Sequence, residues 1–370
     1  MAALIFIVIL SVLVIVHESG HFIFAKKNKI AVKEFGLGYP PRILKLFKWQ
    51  ETTFSLNLIP FGGFVQIEGE NGPEEDDSTH TPTSFYSKSI KTRLIVLLAG
   101  VVFNLIFGIL AFALVFYKLG IPIQLTNQAR IQEVAINSPA AQAGLLNNTN
   151  ILAFAVNDQW VEMNNMTEVQ VFVSSHVGET VMLRVSLPCE AEICPKQYQE
   201  HAVYLRTKTE TPEGEGAMGI IFSETVYKQY PWYLMPFMTV FYAFKQSLSL
   251  SWLIVQSLWQ IVVDLMAGRG LQQEVAGPIG IVDQANTYGF FEGGFLSIVN
   301  FAAILSINLG VMNLLPIPAL DGGRILFISI EAISKKRIPR NVDNIVNNIF
   351  FILLMVLFVY ITFNDVLRLF

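Results

Sequence analysis

Four long apolar runs, at about 2–25, 93–117, 296–318 and 344–367, dominate the pattern of this chain. Each approaches the ~20 residues an α-helix needs to cross a hydrocarbon core, so each predicts a transmembrane helix. A fifth run, about 231–266, is broken by Lys245, Gln246, Ser247, Ser249 and Ser251, which suits an amphipathic, interfacial helix better than a span. Between the second and fifth runs, residues about 125–222 change period. Strand-like stretches at 130–134 and 181–185 frame short helical signals there, the pattern of a small α+β domain. Within it, Ser138-Pro139-Ala140-Ala141-Gln142-Ala143-Gly144-Leu145 reads as a short helix with Ser as N-cap, Pro at the first position and Gly closing it. Between the first two spans, 51–58 and 64–68 flank Ile59-Pro60-Phe61-Gly62-Gly63 and predict a strand, a turn and a return strand.

Composition agrees with a polytopic membrane protein: 53% of residues are hydrophobic, 15% are charged, and the mean hydropathy is +0.50. A net charge of -4 gives no footing for a nucleic-acid partner. The charges do orient the spans. Lys26, Lys27, Lys29 and Lys33 follow the first, Lys88, Lys91 and Arg93 precede the second, and Lys335, Lys336, Arg337 and Arg340 separate the last two. The positive-inside rule assigns all three clusters to the cytoplasm. The segment from about 118 to 295 is then extracytoplasmic, and the first span runs from outside to inside. Cys189 and Cys194, the only cysteines, fall at a hairpin tip of the extracytoplasmic domain, where the compartment permits a disulfide.

The first span ends in His17-Glu18-Ser19-Gly20-His21. On a helix, histidines at i and i+4 project from one face and can share one zinc ion, with Glu18 beside it as a general base. Ionisable residues inside a bilayer are costly and mark function. A cleavable signal peptide would carry its positive charge before the apolar stretch, whereas here the lysines follow it. An open catalytic zinc site needs a third protein ligand. Asp321, in Asn313-Leu314-Leu315-Pro316-Ile317-Pro318-Ala319-Leu320-Asp321-Gly322-Gly323, ends the third span on the cytoplasmic side, at the same depth as His21, and is the best remaining candidate. The two prolines break the helix, and the paired glycines let the backbone turn so that Asp321 aims inward.

With these motifs in view, the chain resembles the site-2 proteases, specifically the bacterial regulator of sigma-E protease type. His17, Glu18 and His21 match that family's H-E-x-x-H, and Asn313, Pro316, Pro318, Leu320, Asp321 and Gly322 match its N-x-x-P-x-P-x-L-D-G. Pro60-Phe61-Gly62-Gly63-Phe64-Val65 is similar to the family's membrane-associated β-loop, and Ala99, Gly100, Asn104 and the 277–281 stretch extend the likeness over nearly the whole chain. The 138–145 string is similar to a segment of bacterial PDZ domains, which bind an extended peptide as an added strand. Gly216-Ala217-Met218-Gly219-Ile220 would be the loop that cradles a peptide end. There is room for about one such domain, where the best-known enterobacterial relative has two.

The expected architecture is therefore an α-helical membrane protein of about four transmembrane helices, with a membrane-associated β-hairpin and an inserted α+β PDZ-like domain. Its parts would be 1–117 with the first two spans, 125–222 as the PDZ-like domain, 231–295 as the interfacial segment and 296–370 with the last two spans. The resemblance implies a multi-pass protein of the bacterial inner membrane, with the zinc site toward the cytoplasm. It implies a zinc-dependent intramembrane endopeptidase acting on single-pass transmembrane proteins, such as an anti-sigma factor or signal-peptide remnants. In that reading His17, His21 and Asp321 bind zinc, Glu18 is the base and Asn313 positions substrate. A membrane scaffold or pseudoprotease working through its PDZ-like domain is the alternative, but it predicts loss of a ligand or the base, and none is missing.

Overall fold

The computed structural model describes residues 1–70, 82–124, 128–156, 159–188, 197–212, 215–223, 225–269, 276–336 and 339–368. In chain order it runs from α1 (Ala2–Lys27) through strands β1 (Val32–Trp49) and β2 (Thr52–Ile67) to α2 (Ile90–Leu119). A mixed region follows, with β3 (Ile121–Gln124), β4 (Ala129–Val134), α3 (Pro139–Gln142), β5 (Thr149–Val156), β6 (Gln159–Glu162), α4 (Met166–Ser175), β7 (Thr180–Ser186), β8 (Tyr198–Tyr204), β9 (Ile220–Ser223) and β10 (Thr225–Lys228). The chain then returns to helices: α5 (Met235–Met266), α6 (Pro278–Thr287), α7 (Gly294–Leu314), α8 (Asp321–Ser334) and α9 (Arg340–Arg368). Residues Met1–Val115 with Thr239–Phe370 form one compact unit and Phe116–Met238 a second.

In the first unit, α1, α2, α7 and α9 are the four described helices long and apolar enough to cross a membrane. The third span is shorter than its apolar run: α7 stops at Leu314, and Leu315 takes an extended ψ of 141°. A residue before proline is pushed out of the helical region, and here Pro316 follows. The helices α6 and α8 had no counterpart in the hydrophobic pattern. α5 is one continuous helix of 32 residues and is not among the four span candidates. Phe237, Phe241, Phe244, Leu248, Trp252, Val255, Trp259, Val262 and Met266 are all exposed on it. Their spacing of three and four residues puts them on one stripe.

The pairing of β1 and β2 corrects the expected hairpin. The stretches at 51–58 and 64–68 do not pair with each other; all but their outer residues 51 and 68 belong to β2, which pairs with β1 across a turn at Gln50 and Glu51. Both strands are bent. Residues 34–37 of β1 therefore have partners on two sides, Gly63 to Gln66 on one and Thr53 to Leu56 on the other, while Arg42 to Trp49 pair with Asn57 to Thr52. The 32–37 and 63–67 limbs pack on the helices through Val32, Phe35, Val65 and Ile67, against Ala25 of α1, Val96 and Leu97 of α2, and Ile328 of α8.

α1 and α2 approach closely because neither has a side chain at the crossing. A Cβ on Gly20 would strike the carbonyl of Ala99, and a Cβ on Gly100 would strike both His21 and His17. Small residues allow such backbone approach inside a bilayer. A second cluster, Phe6, Ile9 and Leu13 of α1 with Ala285, Phe301 and Leu305, joins α1 to α6 and α7. At the far end of α9, the buried Asp365 carboxylate accepts from the amides of Gly277 (3.3 Å) and Gly280 (2.8 Å), capping α6 from another helix.

The second unit is built on a sheet of order β8-β7-β5-β4-β9, with β6 beside β5, and a separate β3–β10 pair. Phe154, Leu183, Ile131, Ile151, Val169 and Leu205 fill its core. The short helix α3 forms as expected. Ser138 caps it by accepting from the Ala141 amide, Pro139 takes the first position, and Gly144 adopts a left-handed φ of 77°. A cavity of about 420 Å³ opens between α4 and the edge strand β9, lined by Val169, Val173, Met218, Ile220 and Phe222, with Arg206 and Lys208 at its rim. Cys189 and Cys194 lie outside the described residues, so the expected disulfide has no structural account.

Candidate metal centre

Helical geometry alone sets His17 and His21 on one face of α1, where both are buried. Asp321 joins them from 300 or more residues away. Its Oδ2 lies 3.0 Å from Nε2 of His17 and 3.2 Å from Nε2 of His21, and the two Nε2 atoms are 3.2 Å apart. A tetrahedral ion with bonds of ~2.0–2.1 Å has ligand-to-ligand edges of about 3.3 Å. The three atoms therefore form a triangle close to one face of such a tetrahedron, and these residues could hold a metal ion. Three protein ligands leave a fourth position for water or substrate.

The far side of each imidazole is also occupied. His21 Nδ1 lies 2.9 Å from the carbonyl oxygen of Val96, which can only accept, so Nδ1 carries the proton and Nε2 is free to bind a cation. His17 Nδ1 lies 3.2 Å from the side-chain amide of Asn104 on α2, a fully buried residue. The amide is oriented with its nitrogen toward the ring, and its Oδ1 is buried with no hydrogen-bond partner. Turning the amide by 180° presents the acceptor that a metal-binding His17 requires. The orphaned oxygen is thus what a His17 bound through Nε2 would use. Asn104 is itself braced, since Ser306 of α7 donates to its backbone carbonyl at 2.8 Å.

Glu18 is half-buried beside the triangle, close enough to interact electrostatically with His17, His21 and Asp321. The backbone N–H of Val65 in β2 faces its carboxylate. Any Cβ on Gly63 would meet Val14 and the Glu18 side chain. The 63–67 limb of β2 thus lies directly against the turn of α1 that carries the acid. Across the sheet, Tyr39 of β1 packs over Gly62, within electrostatic reach of Glu18 and Asp321.

Asp321 owes its place to the loop before it. The amides of Leu315, Ile317 and Leu320 bond to carbonyls of Met312, Leu315 and Ile317, so the loop closes on itself. Gly322 and Gly323 have no room for a Cβ, because the backbone of Leu314, Leu315, Ile317 and Pro318 presses on them. Asn313 sits in the last turn of α7 and is half-buried.

Four of the five expected site residues, His17, Glu18, His21 and Asp321, therefore come together. In the sequence, Asn104 and Gly100 belong only to the family likeness, which gives them no role. Nothing in their local sequence says that one meets His17 and the other leaves space for both rings. The Val96 carbonyl and the Val65 amide carry no sequence signal, since every residue supplies such groups.

Comparison with known proteins adds an independent line. The family model described as peptidase family M50 matches residues 5–357. The chain is 26% identical to the zinc metalloprotease RasP of Geobacillus kaustophilus, covering 99% of this chain and 97% of that protein. A protein of Clostridium acetobutylicum, named provisionally as a zinc metalloprotease, is 29% identical over 96% of this chain and 94% of its own length. A provisionally named zinc metalloprotease of Clostridium perfringens is 30% identical, with 96% of each chain covered.

Proposed function

Because this chain belongs to peptidase family M50, we propose that it is a zinc-dependent endopeptidase that cuts transmembrane segments of membrane proteins inside the bilayer. The observation that carries the reading is the triangle of His17, His21 and Asp321 ligand atoms with 3.0–3.2 Å edges, next to Glu18 and at the end of an apolar helix. In this proposal the two imidazoles and the carboxylate are the metal ligands. When bound, zinc supplies the Lewis acidity that activates water and stabilises the oxyanion. Glu18 takes the proton from the attacking water and returns it to the leaving amine. Asn313 hydrogen-bonds the substrate backbone.

A transmembrane helix hides its amides within its own hydrogen bonds, so the substrate must unwind before it can be cut. The limb of β2 at 63–67 supports a way to hold it. That limb runs beside Glu18, and an extended substrate pairing with it would lie across the acid and the triangle. Single-pass membrane proteins, including a membrane-held regulator or signal-peptide remnants, fit such a site because only one strand need be drawn out.

In this reading the second unit is a PDZ-like domain on the extracytoplasmic side, the orientation the lysine and arginine clusters favour. The apolar cavity between α4 and the edge strand β9 supports peptide binding by strand addition. The domain would then bind or exclude substrates without joining the hydrolysis. The stripe on α5 supports an interfacial helix.

The deciding experiment uses Glu18→Gln. Amide for carboxylate keeps the shape and removes the base, so purified Glu18→Gln protein should retain stoichiometric zinc and lose cleavage of a model transmembrane substrate by at least ~10². Cleavage at a near-normal rate would exclude Glu18 from the mechanism. Comparing membrane proteomes of cells with the intact chain and with Glu18→Gln would then identify substrates by the fragments that accumulate.

A further inference from the structure

The loop that delivers Asp321 has an unusual dependence on a distant helix. Residues 315–320 contain two prolines, Pro316 and Pro318, and therefore only four backbone N–H groups. Three of them, on Leu315, Ile317 and Leu320, bond to carbonyls within the loop and α7. The fourth, on Ala319, donates to Oδ1 of Asn347 in α9 at 2.9 Å. Ala319 is also the loop residue with a left-handed backbone, φ 75°. An L-residue other than glycine, asparagine or aspartate seldom adopts that conformation without being held there.

The orientation of the Asn347 amide is set by chemistry. Its Nδ2 donates at 2.7 Å to Oδ1 of Asp343, one turn earlier on α9. A carboxylate can only accept and the Ala319 amide can only donate, so the oxygen must face Ala319 and the nitrogen must face Asp343. Asp343 is within electrostatic reach of the Arg324 guanidinium on α8, which itself pairs with Glu70. Gly322 and Gly323, at the start of α8, lie against the loop backbone with no room for a Cβ, a close packing that couples α8 to the loop. A displacement at Ala319 therefore reaches Asp321 two residues later.

We propose that Asn347 is a positioning residue for the metal centre: by holding the Ala319 amide it fixes the left-handed turn that aims the Asp321 carboxylate at His17 and His21. The inference rests on the reading of Asp321 as the third ligand. It goes further in making the last helix a working part of the site, although no residue of that helix touches the triangle among the described contacts. A side chain hydrogen-bonded to a ligand typically changes metal affinity by 10–100-fold when removed, and Asn347, which acts one step further out through Ala319, is expected at the low end of that range.

The test measures zinc affinity of the purified full chain by competition with a chromophoric chelator, for Asp321→Ala, Asn347→Ala, and Asn347→Asp combined with Asp343→Asn. The last variant keeps an acceptor for Ala319 and restores the Asp343 contact with donor and acceptor exchanged. Asn347→Ala should weaken zinc about 10-fold or more, and hydrogen exchange of the metal-free protein should show faster exchange across 315–323. The double substitution should recover affinity to within about 3-fold of the parent. If Asp321→Ala weakens zinc while Asn347→Ala does not, the positioning role is overturned and the ligand assignment stands. If Asp321→Ala leaves affinity unchanged, the ligand assignment fails and the positioning role with it. Should Asn347→Ala not fold, the double substitution decides alone: affinity near the parent value supports the role, and affinity as weak as Asp321→Ala overturns it.

Discussion

The side-chain amide of Asn104 lies 3.2 Å from Nδ1 of His17, at the ring nitrogen other than the one that meets Asp321. Both residues are buried, so the contact is shielded from water. With the carbonyl oxygen turned to the ring, Nδ1 keeps its proton and Nε2 points its lone pair at the triangle. An amide can present either its oxygen or its nitrogen, so Asn104 orients the ring, and a cation at Nε2 is what calls for the oxygen.

Asn104→Ala should therefore weaken zinc binding by about 10-fold or more, because the His17 ring loses its anchor and its Nδ1–H is left without an acceptor. Asn104→Asp keeps an acceptor at the same distance and should bind zinc within a few-fold of the parent. Chelator competition on both variants checks this. Equal affinity in Asn104→Ala and the parent would show that the packing of α1 against α2 holds the ring unaided.

Gly100→Ala should damage the site without removing any ligand. The added methyl would occupy the space now filled by the rings of His21 and His17, which the Val96 carbonyl and the Asn104 amide hold in place. Zinc occupancy should fall well below one ion per chain, and proteolysis with it. Metal analysis alongside circular dichroism separates this from unfolding. Full occupancy in a folded protein would mean that the rings can move aside.

Asp365→Ala should leave the Gly277 and Gly280 amides without their acceptor, at a cost of about 2 kcal/mol. The expected result is a lower midpoint of thermal unfolding in detergent with zinc content unchanged, since Asp365 does not approach the triangle. Asp365→Asn retains one acceptor and should fall between. An unchanged midpoint in Asp365→Ala would show that the cap is dispensable.

Orientation can be read by thiol labelling after Cys189 and Cys194 are replaced by serine. Thr167→Cys and Tyr288→Cys, both at exposed positions, should each react with an impermeant reagent in intact cells whose outer layers are permeable to it. Reaction at 167 but only after lysis at 288 would make α5 a true span and reverse α7.

Much of this architecture was legible along the chain because it depends on local rules. Four spans follow from apolar length, and α3 follows from Ser138, Pro139 and Gly144. His17 and His21 meet because four residues are about one helical turn, so one half of the metal triangle was readable from spacing alone. The strands were harder. The alternation at 51–58 and 64–68 correctly marks extended chain, but an extended segment has two edges and its sequence does not say which neighbour takes each. The partner turned out to be 34–37, held between the two. Prolines announced the end of α7, yet the amphipathic α8 that follows has no span-length pattern to reveal it. Asp321 could be nominated from its motif and depth. What brings its carboxylate within 3.2 Å of both imidazoles is a loop whose one outward amide is taken by Asn347, and that bond joins positions 28 residues apart in sequence and on separate elements. Contacts of that kind depend on how helices pack, and packing is a property of the whole fold: Asn104, Gly100, Val65 and Asn347 acquire their roles only when α1, α2, β2 and α9 are assembled around the same few ångströms.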